Sequence, residues 1–164
     1  MAQADYFLKI DGIEGESTDS KHKGEIQIES FSWGLNREGA TRGGGGGGAG
    51  KVAVQDFHFV APTGVQSPPL LLVATATGEH FKKATLTVRK SGERQVEFLK
   101  ISLEEVLVSS YQVGGTDAGD DGLPRDQFSL NFAKILMSVS RQSADGSSGV
   151  PVTGGYDVVA NKKS

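Results

Sequence analysis

The chain has 164 residues, a formal net charge of −3 and no cysteine. That length fits one folded domain, residues 1–164, large enough to need no covalent staple, and the missing thiols exclude disulfides and cysteine-ligated zinc. Lys and Arg are not clustered, so neutralising a phosphate backbone is not a task this chain suits, and no nucleic-acid partner is expected.

No apolar run approaches the roughly 18 residues of a membrane helix, so no stable membrane insertion is expected. The first ten residues carry Asp5 and Lys9 and are too short and polar for a signal-peptide core. Export, if it occurs, must use a route without a cleaved signal. Glycine is abundant, 23 of 164 residues, about twice the usual ~7%. Much of the excess lies in one tract, and the rest reads as globular.

In chain order, Asp5–Ile10 alternates as a strand, with Tyr6, Leu8 and Ile10 opposite Phe7 and Lys9. Glu25–Leu35 follows: Ile26 and Ile28 share one face, then Phe31, Trp33 and Leu35 take the other parity, a slip near Glu29–Ser30. Similar slips occur in Lys51–Val60 (Val52, Val54, then Phe57, Phe59), in Arg94–Val113 (Val96, Phe98, then Leu99, Ile101, Leu103) and in Phe128–Val139 (Phe128, Leu130, Phe132, then Ile135, Met137, Val139). A one-residue slip moves the apolar set to the opposite face of a strand. Each slip marks either a bulge in a long strand or a boundary between two short ones. Long bulged strands predict a two-sheet β-barrel.

The segment after Val60 predicts the one helix. Ser67 suits the N-cap, Pro68 the first turn, and Leu70–Thr77 runs to Gly78, which suits the left-handed position past a helix end. Leu70, Val73 and Ala74 are expected to bury one side, widened by Leu71 and Leu72. Lys83–Arg89 alternates cleanly, with Thr85, Thr87 and Arg89 as a polar face, and Ser91-Gly92-Glu93 reads as a hairpin turn. A last, weak strand is expected over Tyr156–Ala160.

No segment carries a convincing reaction centre. Gly45, Gly50 and Lys51 match the phosphate-loop spacing, but Val52 stands where Ser or Thr would hold Mg²⁺, and a strand follows rather than a helix. The tract Gly43–Gly48 therefore reads as an extended Gly-rich loop between strands. His22, His58 and His80 lie far apart with no metal-ligand spacing, and surface or interface roles fit them better. Asp117, Asp120 and Asp121 read as a solvated acidic turn rather than a calcium loop. Glu104 and Glu105 are neighbours and would point to opposite faces of a strand, so they cannot act as a pair. Gly146-Ser147-Ser148-Gly149 has the wrong spacing for a nucleophile elbow. Catalytic residues, cofactors and metals are accordingly expected to be none. Trp33 belongs to the core by parity with Phe31 and Leu35, and Ser30 and Ser32 share the opposite, polar face.

Taken in order, these segments resemble the Hcp (haemolysin-coregulated protein) family of type VI secretion. The resemblance rests on Phe31-Ser32-Trp33-Gly34, the Gly tract with Ala49-Gly50-Lys51-Val52, and Gln55-Asp56. It continues through Ser67-Pro68-Pro69-Leu70, Thr77-Gly78-Glu79-His80-Phe81, Leu86-Thr87-Val88-Arg89-Lys90 and Val96-Glu97-Phe98-Leu99. Glu105 to Ser110, Leu130-Asn131-Phe132-Ala133 and Ala144-Asp145-Gly146 complete it.

The resemblance implies a mainly β protein, a two-sheet barrel with one short helix and an extended loop, acting as a structural subunit and not as an enzyme. It implies homo-hexameric rings that stack into the inner tube of a contractile machine, with a sheath and a spike protein as partners and small secreted effectors in the channel. The chain would be cytoplasmic before firing and extracellular afterwards. On this reading Gly43, Gly44, Gly45, Gly46, Gly47, Gly48 and Lys51 form the inter-ring loop, and Ser30 and Ser32 face the lumen and its cargo. The rival expectation is a monomeric β-barrel binding module; a hydrolase on the same scaffold lacks any nucleophile–base spacing.

Overall fold

The alternating segments form strands in the computed structural model, which describes residues 4–37, 52–91, 95–117, 121–141 and 149–164. The first is β1 (Ala4–Ile10). The run expected over Glu25–Leu35 divides into β2 (Ile26–Ile28), β3 (Ser30–Ser32) and β4 (Leu35–Arg37). β2 pairs antiparallel with β1, whereas β3 pairs with β6 (Phe57–Pro62). Glu29 lies between them, its N–H donating to the Val60 carbonyl at 2.8 Å. The slip in hydrophobic parity is thus the point where the chain leaves one wing of the sheet for the other.

β4 pairs with β5 (Val52–Val54) in a separate two-stranded ladder. The Gly-rich tract between them, with Gly43–Gly48 and Lys51, lies outside the described residues.

The long strands β7 (His80–Lys90) and β8 (Glu97–Gly114) pair with each other along most of their length. β8 then does double duty. Its first half also pairs with β10 (Lys134–Val139), and its second half pairs with β9 (Arg125–Asn131). The register skips Phe98, the expected slip, and skips Ser109 as well. Between those two bulges Glu105 adopts φ 52°, a left-handed conformation that few non-glycine residues take. Buried parity changes there, from Ile101 and Leu103 to Val106 and Val108. Glu104 and Glu105 are both exposed rather than on opposite faces, because this residue breaks the alternation. The segment Phe128–Val139 is two strands and not one: Ala133 separates β9 from β10, its N–H bonded to the Glu104 carbonyl at 3.0 Å. β11 (Val152–Asp157) and β12 (Lys162–Lys163) extend the sheet, so the final strand starts earlier than expected and Val158–Ala160 form a turn.

The ladder runs β12-β11-β10-β8-β7-β1-β2 on one side and β8-β9-β6-β3 on the other. Since β2 and β3 are consecutive, the two wings meet through the chain at Glu29 rather than through a continuous hydrogen-bonded ladder. The result is a mainly β, barrel-like sandwich. Phe57, Phe59 and Phe128 form a buried ring stack at its centre, with centroids 4.8 and 5.2 Å apart. Trp33 stacks on Phe57 at 6.0 Å and donates its Nε1–H to the Gln55 carbonyl at 2.9 Å, so it is a half-buried core residue as its parity suggests.

The helix α1 spans Ser67–Thr77 and ends at Gly78, whose φ of 69° is the left-handed stop. Its start differs from the expectation. Ser67 is inside the helix, and the cap comes from a distant carboxylate: Glu16 Oε1 accepts from the Gln66 N–H (2.9 Å), the Ser67 N–H (2.6 Å) and the Ser67 hydroxyl (2.8 Å). Gly64 leaves the space that the Glu16 side chain fills. The helix buries Ser67, Leu71 and Ala74, while Leu70, Leu72 and Val73 are exposed, so the expected burial of Leu70 and Val73 is reversed.

The expected polar face of β7 is also corrected. Thr87 and Arg89 are buried, because the segment 11–25 folds over this side of β1 and β7. The Arg89 guanidinium lies 4.7 Å from the Phe7 ring centroid, and the His22 ring stacks on Phe7 at 4.5 Å. Arg89 binds Asp19 through two nitrogens, at 3.0 and 2.5 Å, and Asp5 at 3.3 Å. That guanidinium holds the Asp19 carboxyl well below the usual carboxylate range, helped by the Lys21 N–H. His22 is therefore no surface residue: its nitrogens contact Glu25 at 2.7 Å and Glu97 at 2.9 Å.

Candidate functional site

Four strands present one uncharged polar surface. β3, β6, β9 and the second half of β8 bury Phe59, Phe128 and Val108 on their inner side. Alternation then turns the intervening residues outward. The register aligns them in two rows: Ser32 opposite His58, His58 opposite Ser129 and Ser129 opposite Ser110; then Ser30 opposite Val60, Val60 opposite Gln127 and Gln127 opposite Gln112. Ser30 and Ser32 are exposed, as are His58, Gln112 and Gln127, whereas Val60 is half-buried and Ser129 is buried. No Asp, Glu, Lys or Arg stands in these two rows.

Hydroxyl and amide groups knit one end of this surface. Ser109 donates to Asp56 at 2.7 Å and lies 2.7 Å from the Ser129 hydroxyl, which is 2.5 Å from that of Ser110. Asn131 Nδ2 donates to the other Asp56 oxygen at 3.0 Å. The Ser109 bulge brings two hydroxyls of β8 onto Ser129. At the other end Arg125 is saturated by Glu29 at 2.6 Å and Asp121 at 2.9 Å, and it holds the Asp121 carboxyl below its ordinary range. Behind this end, buried Asp126 accepts from Thr63 at 3.0 Å and Tyr111 at 3.1 Å. Burial first, and Asp126 second, push the Tyr111 hydroxyl up to about 12. Charged groups thus flank the rows, Asp56 held by neutral donors at one end and Arg125 ion-paired at the other, with no carboxylate, lysine or arginine between them.

The two serines chosen from sequence share this face. His58, expected at a surface or interface, is exposed on this face; Gln112 and Gln127 carry no sequence signal beyond their parity against Phe128, because the register that aligns them with Ser30 and Ser32 joins strands far apart in the chain. Asp121 belongs to the Arg125 clasp rather than to a free acidic turn, and Asp120 lies outside the described residues. These rows form a largely polar face without carboxylates, lysines or arginines on a barrel-like β-sandwich.

Comparison with known proteins agrees. Residues 7–139 match the family described as "Type VI secretion system effector, Hcp". The protein hcp1 of Pseudomonas aeruginosa is 45% identical over 159 residues, covering 96% of each chain. Among solved structures, Hcp1 from Salmonella typhimurium superposes with a TM-score of 0.80 at 31% identity over 100% of both chains. A type VI secretion system effector from Yersinia pestis gives 0.75 at 28% identity over 94% of this chain and 100% of that one. The chain belongs to the Hcp family of secreted type VI tube and effector proteins. No helix among the described residues is long and apolar enough to cross a membrane.

Proposed function

We propose that residues 1–164 form one protomer of a homo-hexameric ring, and that such rings stack into the inner tube of a type VI machine, inside its contractile sheath and behind its spike. The protein is a structural element and carrier, not an enzyme. It waits in the cytoplasm and leaves by firing. The neutral face of β3, β6, β9 and β8 carries this reading: a channel that must release its load after transit is best lined by groups that make many weak contacts and no strong ion pairs. The exposed Leu70, Leu72 and Val73 of α1 supply apolar surface for contact between neighbours, since a head-to-tail contact closes into a ring when its rotation fits.

In this arrangement Ser30 and Ser32 face the lumen and touch small effectors. Ser32→Gln places a longer side chain in the row beside His58, and is expected to lower the effector recovered with the ring while leaving ring mass unchanged. Equal effector recovery from the variant and the parent would remove Ser32 from the lumen. The ladder of β4 and β5 brackets the Gly-rich tract, which supports a role for Gly43–Gly48 and Lys51 in reaching the next ring. Deletion of Gly43–Gly48 should then block secretion and tube growth but spare the single ring; normal secretion would contradict it.

A further inference from the structure

Of the side chains in the two polar rows, only His58 can change its charge near neutral pH. It stands within the row Ser32, His58, Ser129, Ser110, in register with Ser32 on β3 and with Ser129 on β9. Its side chain is exposed and makes no hydrogen bond or ion pair among the described residues. Its neighbours across the strands are hydroxyls and amides, so its imidazole is the one group there whose binding strength depends on a proton.

The charged and titratable groups near it are few. Asp56 precedes it by two residues, about 6.6 Å along the chain in extended backbone. That carboxylate is half-buried and accepts from Ser109 at one oxygen and from Asn131 at the other. Glu29 and Asp121 stand at the far end, both bound to Arg125. Tyr111 and Asp126 are bonded to each other behind that end. None of these groups reaches into the rows themselves.

A histidine is neutral or cationic, never anionic. The only charge the rows can acquire is therefore positive. Hydroxyls and carboxamides bind neutral polar groups and carboxylates alike, whereas an imidazolium adds a charge-assisted bond to a carboxylate. We infer, on the lumenal placement proposed above, that His58 selects the load: the face takes an effector whose contacting surface carries carboxylates, and holds it more tightly as the medium turns acid. A load with a basic surface is disfavoured by the same charge. Each protomer of a ring repeats the group, so contacts that are weak singly act together on one load.

The test uses the full chain and two peptides of equal length, one alternating Glu-Ser and one alternating Gln-Ser, each carrying a pH-insensitive dye. Binding is read by fluorescence anisotropy at about pH 8 and about pH 5.5, which bracket histidine ionisation while glutamate stays charged. The variants are His58→Gln, which keeps hydrogen bonding without charge, and His58→Lys, which is charged at both pH values. The Glu-Ser peptide should bind the parent at least about fivefold more tightly at the lower pH, the upper range of one exposed ion pair. His58→Gln should lose that dependence, and His58→Lys should bind tightly at both. The Gln-Ser peptide should show no dependence with any of the three. A parent indifferent to pH would mean that the imidazolium is spent on Asp56, and a His58→Gln protein that kept the dependence would place it on another group; either result overturns the inference. The mass of the same samples tests the ring separately: a single-chain particle that kept the His58-dependent shift would refute the ring and leave the selectivity of the face standing.

Discussion

Glu16→Ala tests how the helix is anchored to the sandwich. One carboxylate oxygen accepts three hydrogen bonds at the first turn of α1, two from backbone N–H groups and one from Ser67. Those N–H groups have no partner within the helix. Loss of an ordinary N-cap costs about 0.5–2 kcal/mol, and a bond to a charged acceptor contributes about 1.5–3 kcal/mol. The shared oxygen makes these contributions overlap, so a total of about 2–3 kcal/mol follows. For a chain of this size each kcal/mol moves Tm by about 2–4 °C, so Glu16→Ala should melt roughly 4–12 °C lower. Glu16→Gln keeps an acceptor oxygen and loses only the charge at the helix N-terminus, about 0.3–1 kcal/mol. Scanning calorimetry with near-ultraviolet dichroism separates the three proteins. If Glu16→Ala and Glu16→Gln melted together, or if both matched the parent, the cap would not anchor the helix.

Further outcomes follow from the same geometry. Phe59→Ala opens the centre of the ring stack and should cost about 3–5 kcal/mol in chemical unfolding; a loss under about 1 kcal/mol would mean the stack is not the core. Burial and Asp126 raise the folded value of the Tyr111 hydroxyl, so its contribution is present below the ordinary tyrosine value of 10.0 and is lost as pH rises toward about 12. Ultraviolet phenolate titration should show one of the three tyrosines ionising late, and Asp126→Asn should advance it.

Much of the fold was legible because strand parity is local. The slip at Glu29–Ser30 is where the chain passes from one wing of the sheet to the other, and Gly78 stops the helix as its freedom at positive φ allows. What was hidden depends on distance in sequence. The Glu16 cap reaches across 51 residues to Ser67. Thr87 and Arg89 look solvent-facing until the segment 11–25 covers them, and nothing local at Glu105 announces its left-handed backbone. The candidate surface was half visible: Ser30 and Ser32 fall on it by parity, but their alignment with Gln127 and Gln112 is a matter of register between strands far apart in the chain.

The mass of the assembled particle bears most directly on the account. Native mass spectrometry of purified protein, with imaging of the same sample, should give about six times the 17.3 kDa chain and annular particles. Material that stayed at one chain mass across all concentrations, with no annuli, would contradict it.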